Sequence, residues 1–259
     1  MNPNSIDVVI PTYQNDSDIH IAVDSALAQR SLTNKIIIID DGSDASIRRS
    51  LELRYGNHKK VIYQHVPHTG HPGMIRKIGI EISQSKWIAF LDSDDAWFEG
   101  KLEIQLETVT RTKSCGITSN AKVLEEGKIG TSLIRNLPER INFSELIRDN
   151  KVINSMAMIK RESLVKIGVY ADSYRVRTPE DYATWLRILT CGELVGLDLD
   201  LGYYQISPSS IRKKDLADPR IFAIADYLIW SNQHQDANKR NFRTKRKLAA
   251  KVLKEQYAK

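Results

Sequence analysis

Trp87-Ile88-Ala89-Phe90-Leu91-Asp92-Ser93-Asp94-Asp95 is the stretch on which the fold turns. Its apolar half carries aromatic and branched side chains without alternation, which predicts a buried strand. Three carboxylates follow at once. Open α/β sheets bind ligands beyond the carboxyl ends of their strands, so the run predicts a site as well as a strand. Paired aspartates there suit a hard divalent cation, Mg²⁺ or Mn²⁺, held through oxygen, with phosphate oxygens and water completing the shell. A polar turn that merely ends a strand has the same local signature. The surrounding chain decides between them.

The pattern repeats upstream. Ile6 to Ile10 is a short apolar run, and Ile36 to Ile39 are four isoleucines without alternation, as in a parallel strand covered on both faces. Val61 to Gln64 is a further strand. Helical spacing runs over Ile19 to Gln29, Ser46 to Tyr55, Met74 to Ser83 (after Pro72 at a helix start) and Lys101 to Thr110. Alternating β and α predicts an α/β, doubly wound parallel sheet. Beyond Cys115 the pattern changes. Short strands are expected at Gly116 to Ser119, Ala121 to Leu124 and Ser155 to Ile159, and a helix at Glu180 to Thr190. A late strand pair is expected at Leu194 to Leu199 and Gly202 to Ile206, and a helical region from about Asp218. The second half is read as a subdomain packed on the first.

Hydrophobic residues make up 41% and charged residues 27% of 259, the balance of a soluble globular protein. Cys115 and Cys191 match no metal-ligand spacing, and no disulfide framework is expected. No run approaches the ~18 apolar residues of a membrane span, and Met1 to Ser5 lacks a signal-peptide core. A cytoplasmic protein is the expectation. Net charge is +6, unevenly placed: Lys239 to Lys254 holds eight Lys or Arg and no Asp or Glu. Such a block points to an acidic partner, an anionic membrane surface or nucleic acid.

Polar clusters recur at predicted element ends: Pro11-Thr12-Tyr13, Asp40-Asp41-Gly42-Ser43, Asp92-Ser93-Asp94-Asp95 and Pro179-Glu180-Asp181-Tyr182. Each alone has a structural explanation. Asp41-Gly42 is a turn dipeptide, and Glu180 with Asp181 complements a helix N-terminus. Together, clusters at successive strand ends imply a shared cleft.

In that order and at those separations, Val8-Val9-Ile10-Pro11-Thr12-Tyr13, Ile38-Ile39-Asp40-Asp41-Gly42-Ser43, Leu91-Asp92-Ser93-Asp94-Asp95 and Glu180-Asp181-Tyr182 with Trp185-Leu186-Arg187 resemble a family 2 glycosyltransferase of the bacterial surface-polysaccharide type. The resemblance covers about residues 5 to 212. It implies the GT-A fold with a mixed central sheet, a nucleotide-sugar-binding half over about 1–114, an acceptor half over about 115–212, and a basic helical extension over 213–259. It also implies a site: Tyr13 packing on a nucleobase beside Pro11 and Thr12, Asp41 hydrogen-bonding that base, usually uracil, and Asp92 and Asp94 as the Asp-x-Asp motif with Ser93 between them. Asp94 is the implied ligand of Mg²⁺ or Mn²⁺, Asp92 faces the ribose or the metal's water shell, and Asp181 is the base of an inverting transfer. The implied donor is a UDP-sugar. The implied acceptor is a polyprenyl-diphosphate-linked glycan in O-antigen or capsule assembly.

The segment before the metal motif departs from the family's Ala-Arg-Asn-x-Gly. It reads Ile75-Arg76-Lys77-Ile78-Gly79, so Arg76 and Gly79 fit and Lys77 replaces Asn. Arg76 is expected to contact the nucleotide or organise the motif. His68 and His71 just upstream lack a third ligand for zinc and read as loop residues or as lining of the donor pocket. Ser207 to Arg212 resembles a late segment closing over donor phosphates, with Arg212 as a phosphate contact.

In the basic tail, Ala249, Val252 and Leu253 share a helical face with Leu248 beside them. Two readings stay open: a helix lying on an anionic membrane, or a basic helix packing its apolar side on the protein. Nucleic acid is disfavoured, since no recognition motif or aromatic platform is present. Three rivals remain: a transferase using a GDP- or dTDP-sugar, a catalytically idle nucleotide-sugar-binding scaffold, and a nucleotidyltransferase. The last is expected to bring an early glycine-rich basic loop, which Pro11-Thr12-Tyr13-Gln14-Asn15 is not.

Overall fold

The structure is a computed structural model that describes residues 4–29, 32–170, 179–206, 218–234 and 239–257. Strands β1 (Ile6–Thr12), β2 (Thr33–Asp40), β3 (Val61–His65) and β4 (Trp87–Phe90) lie parallel in the order β3-β2-β1-β4. Helices α1 (Ile19–Leu27), α2 (Ala45–Tyr55) and α3 (Pro72–Ile82) make the crossovers. The isoleucine run is buried because both faces of β2 are covered. Ile36 and Ile38 pack with α1 residues Ala22 and Val23, whereas Ile37 and Ile39 pack on Ile75 of α3. Helix α3 approaches β1 closely at Gly79, where a Cβ would lie 2.5 Å from Val9 Cγ1.

The second half extends the same sheet. It contributes β5 (Ala96–Trp97), α4 (Lys101–Thr112), β6 (Gly116–Glu125), β7 (Lys128–Ser132), β8 (Arg140–Ile141) and α5 (Phe143–Leu146). A 3-10 turn at Asn154–Met156 precedes β9 (Met158–Lys160), α6 (Arg161–Lys166), α7 (Glu180–Ile188) and β10 (Leu194–Ile206). The full path is β3-β2-β1-β4-β9-β6-β10-β5, with β7 on β6 and β8 on β10. Strand β9 is antiparallel to β4 and β6, so the sheet is mixed.

Three sequence expectations change. The two short strands after Cys115 are one strand, β6. Its interruption, Asn120, is buried and satisfied, donating to Ile134 O at 2.6 Å and Asp198 Oδ1 at 2.9 Å. The late pair is one strand, β10, in which Asp198 and Asp200 mark register shifts against β6 rather than a turn. Asp200 pairs with Lys122 at 3.2 Å and accepts from Ser132 at 2.9 Å. Residues expected as a strand from Ser155 begin as the 3-10 turn, because Asn154 and Ser155 spend their side chains on the carboxylate motif.

The last helices, α8 (Pro219–Gln233) and α9 (Lys239–Tyr257), join the core beneath α7. Tyr227 and Trp230 of α8, and Ala249 and Val252 of α9, share one apolar cluster with Phe90 and Trp185, and Leu248 and Leu253 pack against it. The apolar side of the basic helix is thus covered by protein, which removes the reading in which that side enters a bilayer. No helix among the described residues is long and apolar enough to cross a membrane.

Candidate active site

Three strand-end loops are tied to one another at the carboxyl edge of the parallel half. Leaving β1, the backbone N–H of Gln14 donates to Ser43 Oγ at 2.8 Å, and Asn15 Nδ2 reaches both the carbonyl and the hydroxyl of Ser93 at 3.2 Å. After β2 the paired aspartates divide their work. Asp40 is fully buried and accepts from the Ser43 backbone N–H at 3.0 Å and from Tyr63 at 2.7 Å. Asp41 points to the cleft, and Thr69 N–H and Gly70 N–H donate to its Oδ1 and Oδ2 at 2.6 and 2.9 Å. The result is a cavity of about 620 Å³ lined by residues of all three loops and of α3.

Pro11, Thr12, Tyr13, Asp41, Arg76, Asp92, Ser93 and Asp94, all singled out from sequence, line this one cavity. Arg212 and the segment from Ser207 lie outside the described residues. Two atoms of residues that line it, Thr12 Oγ1 and Arg76 Nε, are buried without a hydrogen-bond partner among the described residues.

Below the cavity sits an acidic cluster held by few donors. Asp92 Oδ1 accepts from Arg76 Nη2 at 2.6 Å and from Asn154 Nδ2 at 2.9 Å, and its backbone N–H donates to Ser155 Oγ at 3.0 Å. Ser155 Oγ in turn donates to Asp95 Oδ2, and Asp95 Oδ1 accepts from the Gln205 backbone N–H at 2.8 Å. Burial, then the Asp92 charge, pushes Asp94 up to about 6. Burial, with Asp92 and Asp94 beside it, holds Asp95 well above the ordinary carboxylate range. An all-oxygen donor pair short of positive charge fits a hard divalent cation. No group of three or more His, Cys, Asp or Glu is placed to hold an ion among the described residues. The protein's share here would be Asp94 and Asp92, with the remaining oxygens coming from elsewhere.

Asp181 lies in the first turn of α7 and is not among the cavity-lining residues. It joins the site through its neighbour: Glu180 Oε1 accepts from Arg76 Nη1 at 2.8 Å, so one buried guanidinium bridges Glu180 and Asp92. Burial, then the Glu180 charge, pushes Asp181 up to about 7, with Arg76 opposing. The Tyr204 phenol, pushed up to about 12 chiefly by burial, feels Asp95, Asp92, Asp181 and Asp94 together.

Sequence reasoning missed Asn154, Ser155 and Gln205. The available signal was the Asn154-Ser155 pair inside the apolar run from Val152 to Ile159: polar residues there must be buried and bonded. A larger cleft of about 810 Å³, lined by Glu99, Glu103, Glu107 and Arg111 among others, holds none of the residues of the acidic cluster.

The Glycosyl transferase family 2 model matches residues 7–168 of the chain. The chain is 29% identical over 238 residues to the uncharacterized glycosyltransferase RC0461 of Rickettsia conorii, covering 92% of this chain but only 38% of that relative. It is 23% identical over 213 residues to the UDP-Glc:alpha-D-GlcNAc-diphosphoundecaprenol beta-1,3-glucosyltransferase WfgD of Escherichia coli, covering 82% and 81%. The fold is shared with S. aureus TarS 1-349 in complex with UDP-GlcNAc, at TM-score 0.71 and 15% identity over 93% of this chain and 70% of that one.

Proposed function

Because the chain belongs to glycosyl transferase family 2 and carries the GT-A fold, we propose that it is an inverting glycosyltransferase. In this reading it moves a hexose or N-acetylhexosamine from a UDP-sugar to a polyprenyl-diphosphate-linked glycan in bacterial surface-polysaccharide assembly, O-antigen or capsule. The observation that carries the reading is the Arg76 bridge, which ties the Asp92 side of the donor cavity to the residue beside Asp181. The names of WfgD, with its UDP-Glc donor and diphosphoundecaprenol acceptor, and of the TarS complex with UDP-GlcNAc support the choice of donor and acceptor class.

The chemistry assigns each group a task. Tyr13, Pro11, Thr12 and Asp41 hold the nucleoside, Ser93 belongs to the same donor-binding set, and Asp92 faces the ribose or the metal's water shell. A divalent cation at Asp94 and Asp92 would supply positive charge against the negative charge that grows on the leaving diphosphate. Asp181, pushed up to about 7, has the affinity that suits a base at neutral pH, and it takes the acceptor hydroxyl's proton. Attack from the face opposite the leaving group inverts the anomeric carbon, so an α-linked donor gives a β-linkage. Both terminal nitrogens of Arg76 are engaged by carboxylates, which favours an organising role over a phosphate contact. Arg212 remains the proposed phosphate contact.

The lipid-linked acceptor requires a meeting with a membrane. Arg243, Lys247, Lys251 and Lys254 of α9 are exposed, and their spacing of four, four and three places them on one helical face. In this proposal that face meets anionic lipid by charge alone, since the apolar side is already packed on the core.

The deciding experiment is calorimetry with UDP-Glc, UDP-GlcNAc, GDP-mannose and dTDP-glucose, each with Mn²⁺ and then with EDTA. Metal-dependent binding of one UDP-sugar, lost in Asp94→Ala, supports the reading. Binding of only the GDP- or dTDP-sugar overturns the donor class, binding of none overturns the nucleotide-sugar reading, and binding without turnover favours the idle scaffold.

A further inference from the structure

The loop His68-Thr69-Gly70 is pinned to the turn that carries Asp41. A Cβ at Gly42, where φ is +78°, would lie 2.6 to 2.8 Å from three atoms of His68. The two segments therefore touch backbone to backbone, which only glycine permits in that left-handed conformation. His68 Nδ1 donates to the Asp41 carbonyl oxygen at 2.7 Å and lies 3.3 Å from Asp41 Oδ2. The imidazole so anchored stacks on the Tyr13 ring, with centroids 4.3 Å apart and planes 24° apart. Tyr13 lines the donor cavity and His68 does not, so the imidazole backs the phenol ring and leaves the cavity open.

We propose that His68 is a positioning residue for the donor's nucleobase. Anchored on Asp41, it fixes the plane of Tyr13, and the two rings form a two-layer platform on which a pyrimidine stacks. The inference rests on the reading of Tyr13 as the base-stacking residue and adds to it a residue that the family pattern does not supply. An exposed tyrosine at the tip of a loop rotates about two side-chain bonds. A ring held behind it removes most of that freedom before the base arrives, so less ordering remains to be done on binding. The same loop donates two backbone N–H groups to the Asp41 carboxylate, so the stacking surface and the polar base contact are set by one short segment.

The test compares His68→Ala and His68→Phe with the full-length parent protein, using UDP and inorganic pyrophosphate as probes, both with Mn²⁺. His68→Ala is expected to bind UDP about tenfold more weakly, on the scale of a lost base-stacking contact, and to bind pyrophosphate as the parent does. The donor KM should rise by the same factor while kcat at saturating donor stays. His68→Phe keeps a ring behind Tyr13 and should stay within about threefold of the parent for UDP. Equal losses in both variants overturn the proposal, because the Nδ1 bond rather than the ring would then be responsible. An equal loss for pyrophosphate also overturns it, since that reports a loosened site rather than a loosened base. Tyr13→Ala separates the two levels. If it leaves UDP affinity unchanged, the base-stacking reading of Tyr13 falls and His68 with it. If it weakens UDP while His68→Ala does not, the role of His68 alone is overturned.

Discussion

Arg76 and Glu180, 104 positions apart in sequence, meet at 2.8 Å between Nη1 and Oε1. The other arm of the same guanidinium is 2.6 Å from Asp92, and its face lies 5.4 Å from the Tyr170 ring centroid. Burial opposes the Arg76 charge, but Asp92, Tyr170 and Glu180 together hold its affinity for the proton well above the ordinary value. A planar fork can serve two carboxylates on different arms, whereas a lysine ammonium is a single point.

Arg76→Ala leaves two carboxylates facing each other without a cation. Breaking a buried pair by removing one partner costs about 3–5 kcal/mol, on the order of 10 °C in melting temperature for a domain of this size. Arg76→Lys should recover part of the melt and little of the turnover, because it cannot hold Asp92 and the α7 start at once. Calorimetric melts with a donor-turnover assay decide it. Parental values in Arg76→Lys would show that the bridge does not organise the site.

Asp181→Asn should bind donor nearly as the parent does and lose at least about a hundredfold in turnover. Its pH behaviour carries a sign. Because burial and Glu180 push Asp181 up to about 7, kcat/KM should rise on an acid limb centred near 7 as the carboxylate forms. The native state binds the proton more tightly than the unfolded chain does. This group's contribution to stability is therefore fully present below about pH 4 and is lost as pH rises through about 7. Asp181→Asn removes that loss, so its melting temperature should match or exceed the parent's at pH 8 and converge with it at pH 4. A parent acid limb below pH 5 would remove Asp181 as the base.

Asn154→Ala takes away one donor to Asp92 and the acceptor that Tyr170 OH reaches at 2.9 Å. Ser155→Ala strips the buried Asp95 of its hydroxyl donor and the Asp92 N–H of its acceptor. Each should cost about 1–3 kcal/mol of stability, the penalty for leaving a buried polar group unpaired. Each should also weaken Mn²⁺-dependent UDP binding, read by the same calorimetry. Unchanged UDP affinity in both variants would show that the turn supports the fold and not the carboxylate motif.

Replacing Arg243, Lys247, Lys251 and Lys254 together by Gln should abolish sedimentation with phosphatidylserine-containing vesicles and leave the melt near the parental value. The parent's own binding should fall steeply between low and physiological salt, at about 1 kcal/mol for each basic residue near the surface. Co-sedimentation that survives the fourfold substitution would move the membrane contact elsewhere.

The parallel half was legible because its signals are local. The isoleucine run shows burial on both faces, and β1, β2 and β4 each end in a polar cluster. The second half was less so because its decisive partners are distant. Asn120 interrupts a strand on paper and sustains it in space by reaching Asp198. Asp198 and Asp200 look like a turn and are paired across the sheet. Asn154 and Ser155 serve an aspartate 62 and 63 positions away, and no spacing rule spans that distance. The basic tail carried an amphipathic signal whose two readings differ only in what covers the apolar side. Packing on α8 and the core, rather than periodicity, resolves it.

Strand β10 ends at the 620 Å³ cavity through Gln205 and begins at another cleft, of about 380 Å³, that Cys115 and Cys191 line with Leu194 and Leu197. From Leu197 to Gln205 the strand runs nine residues, eight steps of ~3.3 Å or about 26 Å. Both thiols of the chain therefore stand far from that cavity. Cys115 is buried and its thiol is pushed up to about 12, chiefly by burial, whereas Cys191 is partly exposed and raised for the same reason. A fluorophore attached at Cys191 under mildly alkaline conditions gives the molecule a spectroscopic handle. The proposed donor binding and vesicle capture are then testable in one cuvette without altering a side chain of the candidate site.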